Sequence, residues 1–151
     1  MATLLTLTLL SPAALPADPV HPATSQLIAV AAVAPDRWAP FVDCVADRES
    51  HSNPNALNSS GHMGMFQFGP GWLGKLQFHV SRRLAELGVP TQKRAEIRDR
   101  LEPLPINRWP ERFQRIGMIQ VLIEGERDHS LKGWRHWYHA GSRCNALAVT
   151  S

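Results

Sequence analysis

The clearest hydrophobic pattern begins at Trp38, where Trp38, Phe41, Val42, Val45 and Glu49 recur at helical spacing and fall on one face. Asp36 is placed to cap this helix, Pro40 is tolerated in its first turn, and Asp43 and Asp47 project from the opposite, solvated side. The helix must stop before Pro54, because residues 53–61 (Asn-Pro-Asn-Ala-Leu-Asn-Ser-Ser-Gly) are turn chemistry throughout. The apolar stretch 64–68 is too brief to assign by period. A second helix is predicted from about Gly71 or Trp72 to Leu87, since Leu73, Leu76, Val80, Leu84 and Leu87 share a stripe that Gly88 and Pro90 end. Thr91 is placed to cap a short helix to Leu101, and the prolines at 103, 105 and 110 then break the chain. Glu111 to Glu124 carries Phe113, Ile116, Met118, Ile119, Val121, Leu122 and Ile123 around most of its circumference, the pattern of a buried central helix. A last segment from Leu131 to Leu147 holds Trp134, Trp137, Tyr138 and Cys144. With no internal repeat and no sustained alternation, the expected class is mainly α: a single small domain with a buried central helix.

Residues 11–35, rich in Pro, Ala and Thr, read as leader and linker, with the folded domain at 36–151. The run Leu4 to Leu10, followed by small residues, resembles the apolar part of a signal peptide, and a second run ends in Ala32-Val33-Ala34. Both are too short to cross a bilayer, so no stable membrane span is expected. At 151 residues and 44% hydrophobic, the chain has material for one compact core, and a monomer is expected.

A net charge of +3 is small, and between Arg82 and Arg115 the two signs are interleaved. This reads as a solvated helical face rather than a nucleic-acid site. The only cysteines, Cys44 and Cys144, lie near opposite ends of the predicted domain. In an oxidising compartment a bridge would close a loop of about 100 residues and constrain the unfolded chain by roughly 4 to 5 kcal/mol. In a cytoplasm they would instead be two buried thiols.

Glu49 is the residue of chemical interest that periodicity alone picks out. It sits at the end of the first helix, on the face carrying Trp38, Phe41, Val42 and Val45, and a carboxyl group among apolar side chains favours its neutral, proton-donating form. An isolated helix Glu at the edge of a buried stripe more often extends to water. The surrounding motifs change that weighting. Arg48-Glu49-Ser50, a polar loop, and then Gly61-His62-Met63-Gly64-Met65-Phe66-Gln67-Phe68 resemble the Glu-Ser and Gly-x-x-Gly-Leu-Met-Gln motifs of lytic transglycosylases and goose-type lysozymes. Trp38, Cys44, Glu49-Ser50, residues 64–68 and Trp72 also resemble the resuscitation-promoting-factor branch of the lysozyme-like superfamily. Trp137-Tyr138-His139-Ala140-Gly141 is similar to the Ala-Tyr-Asn-Ala-Gly motif of the transglycosylase cleft, with His139 replacing the Asn.

The resemblance implies a lysozyme-like fold acting on peptidoglycan glycan strands, secreted or associated with the cell wall, or carried by a virus as a lysin. It implies Glu49 as the general acid, Ser50 as its support, Met65, Phe66 and Gln67 as cleft residues, and Tyr138 near Glu49. No cofactor is implied. A hydrolytic muramidase of the same fold would need a second carboxylate about 6.5 to 9.5 Å from the first to activate water. Asp43 and Asp47 face away, and no motif singles out Glu124, Glu126 or Asp128. A transglycosylase, in which Glu49 helps the muramic 6-hydroxyl close a 1,6-anhydro ring, fits one carboxylate. A glycan-binding module without catalysis is the competing non-enzyme reading, and retention of the Glu argues against it. His129, His136 and His139 suggest a zinc amidase only weakly, because no carboxylate or cysteine set accompanies them, and no metal site is expected.

Overall fold

The computed structural model describes residues 24–128, 133–137 and 142–149. Among them are six α-helices: α1 (Thr24–Ala31), α2 (Ala39–Ser50), α3 (Leu73–Glu86), α4 (Thr91–Leu101), α5 (Glu111–Arg127) and α6 (Arg143–Val149). Short 3-10 turns span Pro70–Trp72, Ile106–Arg108 and Gly133–Trp137. β-Pairing among the described residues is confined to isolated bridges of Met63 with Leu57 and with Phe68. The mainly α class read from the hydrophobic pattern is therefore the class observed.

Helix α5 is the axis, with eleven of its seventeen residues buried, as its apolar circumference requires. Helix α3 lies along it most intimately. A Cβ at Gly117 of α5 would come within 2.3 Å of Leu76 Cδ1, so the absence of a side chain there sets how closely the two helices approach. Phe41, Val42 and Val45 of α2, Leu76 and Leu84 of α3, and Ile116, Ile119 and Leu122 of α5 are all buried in one core. Each such side chain contributes about 1.5 to 3 kcal/mol by leaving water.

The structure departs from the sequence expectations at several element boundaries. Helix α2 starts at Ala39, because Pro35 O accepts the N–H groups of Trp38 (2.7 Å) and Ala39 (3.0 Å), and Asp36 makes no cap. Trp38 is buried, and its indole N–H donates to Glu126 Oε1 at 2.7 Å, while Arg37 Nε donates to the same oxygen at 2.8 Å. These bonds fasten the start of α2 to the end of α5, which runs a turn beyond Glu124. Residues assigned to the linker fold as α1, with Ala31 and Ala34 buried and Leu27 and Ile28 against the core. An eight-residue helix is marginal alone, so α1 owes its order to packing on α3.

Cys44 on α2 and Cys144 on α6 form a disulfide with their Cα atoms 5.6 Å apart. The bridge holds the last described helix against α2, reinforced at the surface by Arg143 donating to Asp47 Oδ2 at 2.8 Å. Replacing both cysteines by Ala should lower unfolding stability by roughly 4 kcal/mol, as expected for so long a loop. Denaturant titration checks it, and a change under about 1 kcal/mol would show that the unfolded chain is already compact there.

Candidate active site

The last turn of α2 brings the Arg48-Glu49-Ser50 motif to the surface. The helix ends at His51, held in the left-handed region at φ 53°, with His51 N–H returning to Asp47 O (2.8 Å) and Ser52 N–H to Ala46 O (2.9 Å). This double return satisfies the helix-terminal carbonyls without a glycine. Ser50 Oγ donates to Met65 O at 2.8 Å and accepts from Asn53 N–H at 3.0 Å. One hydroxyl thus ties the end of α2 to the loop that follows.

That loop, residues 53–69, is held from below by Gln114 of α5, whose side chain is fully buried. Its Oε1 accepts Met65 N–H at 2.7 Å, and its Nε2 lies within 2.9 to 3.1 Å of the carbonyls of Pro54, Ile106 and Trp109. Gly64, at φ +76°, passes directly above it, and a Cβ there would lie 2.2 Å from Gln114 Oε1. Both the dihedral and the contact restrict this position to glycine.

Above the loop, Glu49, His62, Phe66, Gln67, Trp72 and Trp137 line a groove of about 350 Å³. Its floor is aromatic: Phe68 meets Trp72 and Trp137 at centroid distances of 5.6 and 5.7 Å, and Trp72 meets His136 edge-on at 4.9 Å. Trp137 Nε1 donates to Phe66 O at 2.8 Å, which locks the C-terminal 3-10 turn onto the loop. Gln67 adopts φ 51°, a left-handed conformation that costs a non-glycine residue on the order of 1 kcal/mol or more. Its backbone N–H and Nε2 both bond Gly64 O, at 3.1 and 3.0 Å.

Glu49 stands in this groove with 17% of its side chain exposed. The wholly apolar surround expected for it is not what the structure has. Arg48 turns back on its neighbour, with Nε donating to Glu49 Oε1 at 3.0 Å and Nη2 forming an ion pair with the same oxygen. The same guanidinium donates to Ser142 Oγ and Trp137 O, each at 2.7 Å.

Of the other expected site residues, Phe66 and Gln67 line the groove. Met65 does not: its side chain is buried in the core and its backbone does the work. Ser50 acts through its hydrogen bonds beneath the groove. Tyr138 and His139 lie outside the described residues, although adjacent Trp137 reaches the groove. Arg48 and Trp137 stood in the motifs read from the sequence but were given no role there, and Gln114 was not singled out. The one available signal was Gln114, a polar residue in an otherwise apolar helix face. Among the described residues, no three His, Cys, Asp or Glu side chains come together as a metal site, so the amidase reading gains no support.

A second cavity of about 550 Å³ adjoins the groove and shares Trp72 and His136 with it. Within it His79 Nδ1 lies 3.1 Å from Glu124 Oε2, and Arg82 Nε lies 3.3 Å from Glu124 Oε1. Burial pushes the His79 imidazole below the usual histidine range, although Glu124 pulls the other way. Burial, with Lys75 nearby, also lowers His136.

These features define a small all-α, lysozyme-like domain with a glutamate in a groove at the end of a helix. Residues 26–95 match the Transglycosylase SLT domain family. This match supports the lysozyme-like lytic transglycosylase superfamily, whose SLT members are enzymes acting on peptidoglycan. It matches no curated protein and no solved structure. The match begins within α1, ahead of Asp36, and spans α2, the groove loop and α3.

Two outcomes follow from this geometry. Gln114→Met keeps the volume but leaves Met65 N–H, the buried carbonyls of Ile106 and Trp109 and the part-buried carbonyl of Pro54 without their partner, so stability should drop by about 3 to 5 kcal/mol in denaturant titration. A drop below about 1 kcal/mol would show that water replaces the amide. Because His79 and His136 have folded-state values below their unfolded ones, the folded protein binds fewer protons just below the ordinary histidine value of about 6.5. Their contribution is present above that pH and is lost as pH falls through the folded values. The melting midpoint should therefore fall between pH 7.5 and 5.5, and His79→Gln should flatten the decline; an unchanged slope in that variant would remove His79 as the cause.

Proposed function

We propose that this protein cleaves peptidoglycan glycan strands at the β-1,4 bond between MurNAc and GlcNAc, with Glu49 as acid and then base and a 1,6-anhydro product. The observation that carries this reading is that Glu49 is the one carboxylate among the described residues lining the groove. Glu124 and Asp128 line the neighbouring cavity, and Glu126 is engaged by Arg37 and Trp38. A single carboxylate suits an intramolecular transfer. Glu49 gives its proton to the glycosidic oxygen as the bond from C1 breaks, and the GlcNAc leaves as an alcohol. The resulting carboxylate then takes the proton of the muramic 6-hydroxyl as that oxygen bonds to C1, which restores the acid.

The chain's other groups serve that sequence. Arg48 fixes the carboxyl orientation and faces the charge formed after proton transfer. The aromatic floor offers apolar faces to sugar rings, and the strained Gln67 presents its amide at the groove wall. Ser50 holds the helix end and loop in register. The disulfide supports an exported protein working in an oxidising compartment, secreted or at the cell wall. Among the described residues no helix is long and apolar enough to cross a membrane.

Glu49→Gln keeps shape and hydrogen bonding but removes the transferable proton, so turnover on purified peptidoglycan should fall by on the order of a hundredfold to ten-thousandfold while folding persists. Mass spectrometry of the released muropeptides should find 1,6-anhydromuramic ends. Ordinary reducing ends would instead mean that water attacks C1, and undiminished turnover in the variant would remove Glu49 from the chemistry.

A further inference from the structure

The cavity beside the groove is chemically unlike it. Its walls carry Lys75, Arg82 and Arg127 together with Glu124 and Asp128, so both signs of charge face one space of about 550 Å³. That volume lies in the ordinary range for small-ligand sites. Because Trp72 and His136 belong to both walls, a polymer lying in the groove runs directly beside this cavity.

The charges are unequally engaged. Glu124 is already held by His79, Arg82 and Gln120, and Arg127 donates to Glu86 at 2.7 Å. Lys75 is different: its side chain is exposed, its Nζ lies 5.9 Å from the centroid of the Trp72 ring, and it has no ion pair among the described residues. It is a cation at the junction of the two spaces, open to an incoming anion.

Resting on the glycan reading of the groove, we propose that this cavity binds the peptide branch of the glycan strand, with Lys75 receiving a peptide carboxylate. In an intact strand the N-acetylated sugars are neutral, because the lactyl carboxylate of each muramic acid is tied up in its amide bond to the peptide. The charges of peptidoglycan reside in the short peptides that hang from muramic acid, which carry carboxylates and amines together. A cavity with both signs of charge, one shared wall away from the sugar groove, matches that branch and not a further run of sugars. The enzyme on this account prefers strands that still bear peptides over strands from which an amidase has removed them.

The disaccharide GlcNAc-MurNAc contains no MurNAc–GlcNAc bond, so its binding to the intact wild-type protein is read without cleavage. Calorimetry should find the disaccharide-tetrapeptide bound about threefold to tenfold tighter than a bare disaccharide whose lactyl carboxylate is capped as the neutral methylamide, the scale of one partly exposed charge pair. Lys75→Met should abolish the difference and leave affinity for the bare disaccharide unchanged, and Lys75→Glu should invert it. Equal binding of the two ligands by the wild type, or equal weakening of both by Lys75→Met, overturns the peptide site and leaves the glycan reading standing. Failure of both ligands to bind sinks the glycan reading itself, and the peptide site with it.

Discussion

Gln114 lies fully buried in the helix around which the domain packs, and its single amide serves four backbone groups drawn from Pro54, Met65, Ile106 and Trp109. A groove loop of some fifteen residues with almost no regular pairing would otherwise have little to fix its path. A buried donor or acceptor without a partner costs about 1 to 3 kcal/mol, so the loop and the amide enforce one another. Gly64 is the steric complement of this arrangement, since any side chain there would displace the amide. From this one contact follow the position of Met65 O for Ser50, the bend that sets Gln67 at positive φ, and the floor that Phe66 and Phe68 provide.

What the sequence disclosed divides along a physical line. Helix identity was legible wherever the apolar period ran through the core, as at Leu76, Val80 and Leu84 or around α5. The helix α1 was not, because a stretch of eight residues whose last five are all apolar has little amphipathic signal and depends on a surface supplied by α3. The start of α2 was misplaced because a carbonyl of Pro35, rather than the Asp36 side chain, closes the first turn. Backbone self-satisfaction of this kind leaves no trace in side-chain chemistry.

The site was legible in its motifs and hidden in its wiring. Glu49, Phe66 and Gln67 stood out by pattern, and the groove brings them together. Met65 looked like a cleft residue because the motif places it just before Phe66 and Gln67, which are, yet its side chain turns inward to the core. Arg48 and Trp137 stood in the motifs without a role because their importance comes from partners about ninety residues away. Long-range hydrogen bonds have no local period, and a single chain read alone cannot reveal them.

The reach of Arg48 also bears on when the site comes into being. One guanidinium meets the carboxylate of the proposed acid, Trp137 and Ser142, the last ninety-four positions downstream. A ribosome delivers Glu49 early and the partners of Arg48 late. The growing chain therefore carries Glu49 for most of its synthesis without the wall that completes the groove. The covalent tie from Cys44 to Cys144 forms only in oxidising surroundings. Assembly order and the bridge together postpone the complete groove until late in synthesis and until the chain meets oxidising surroundings.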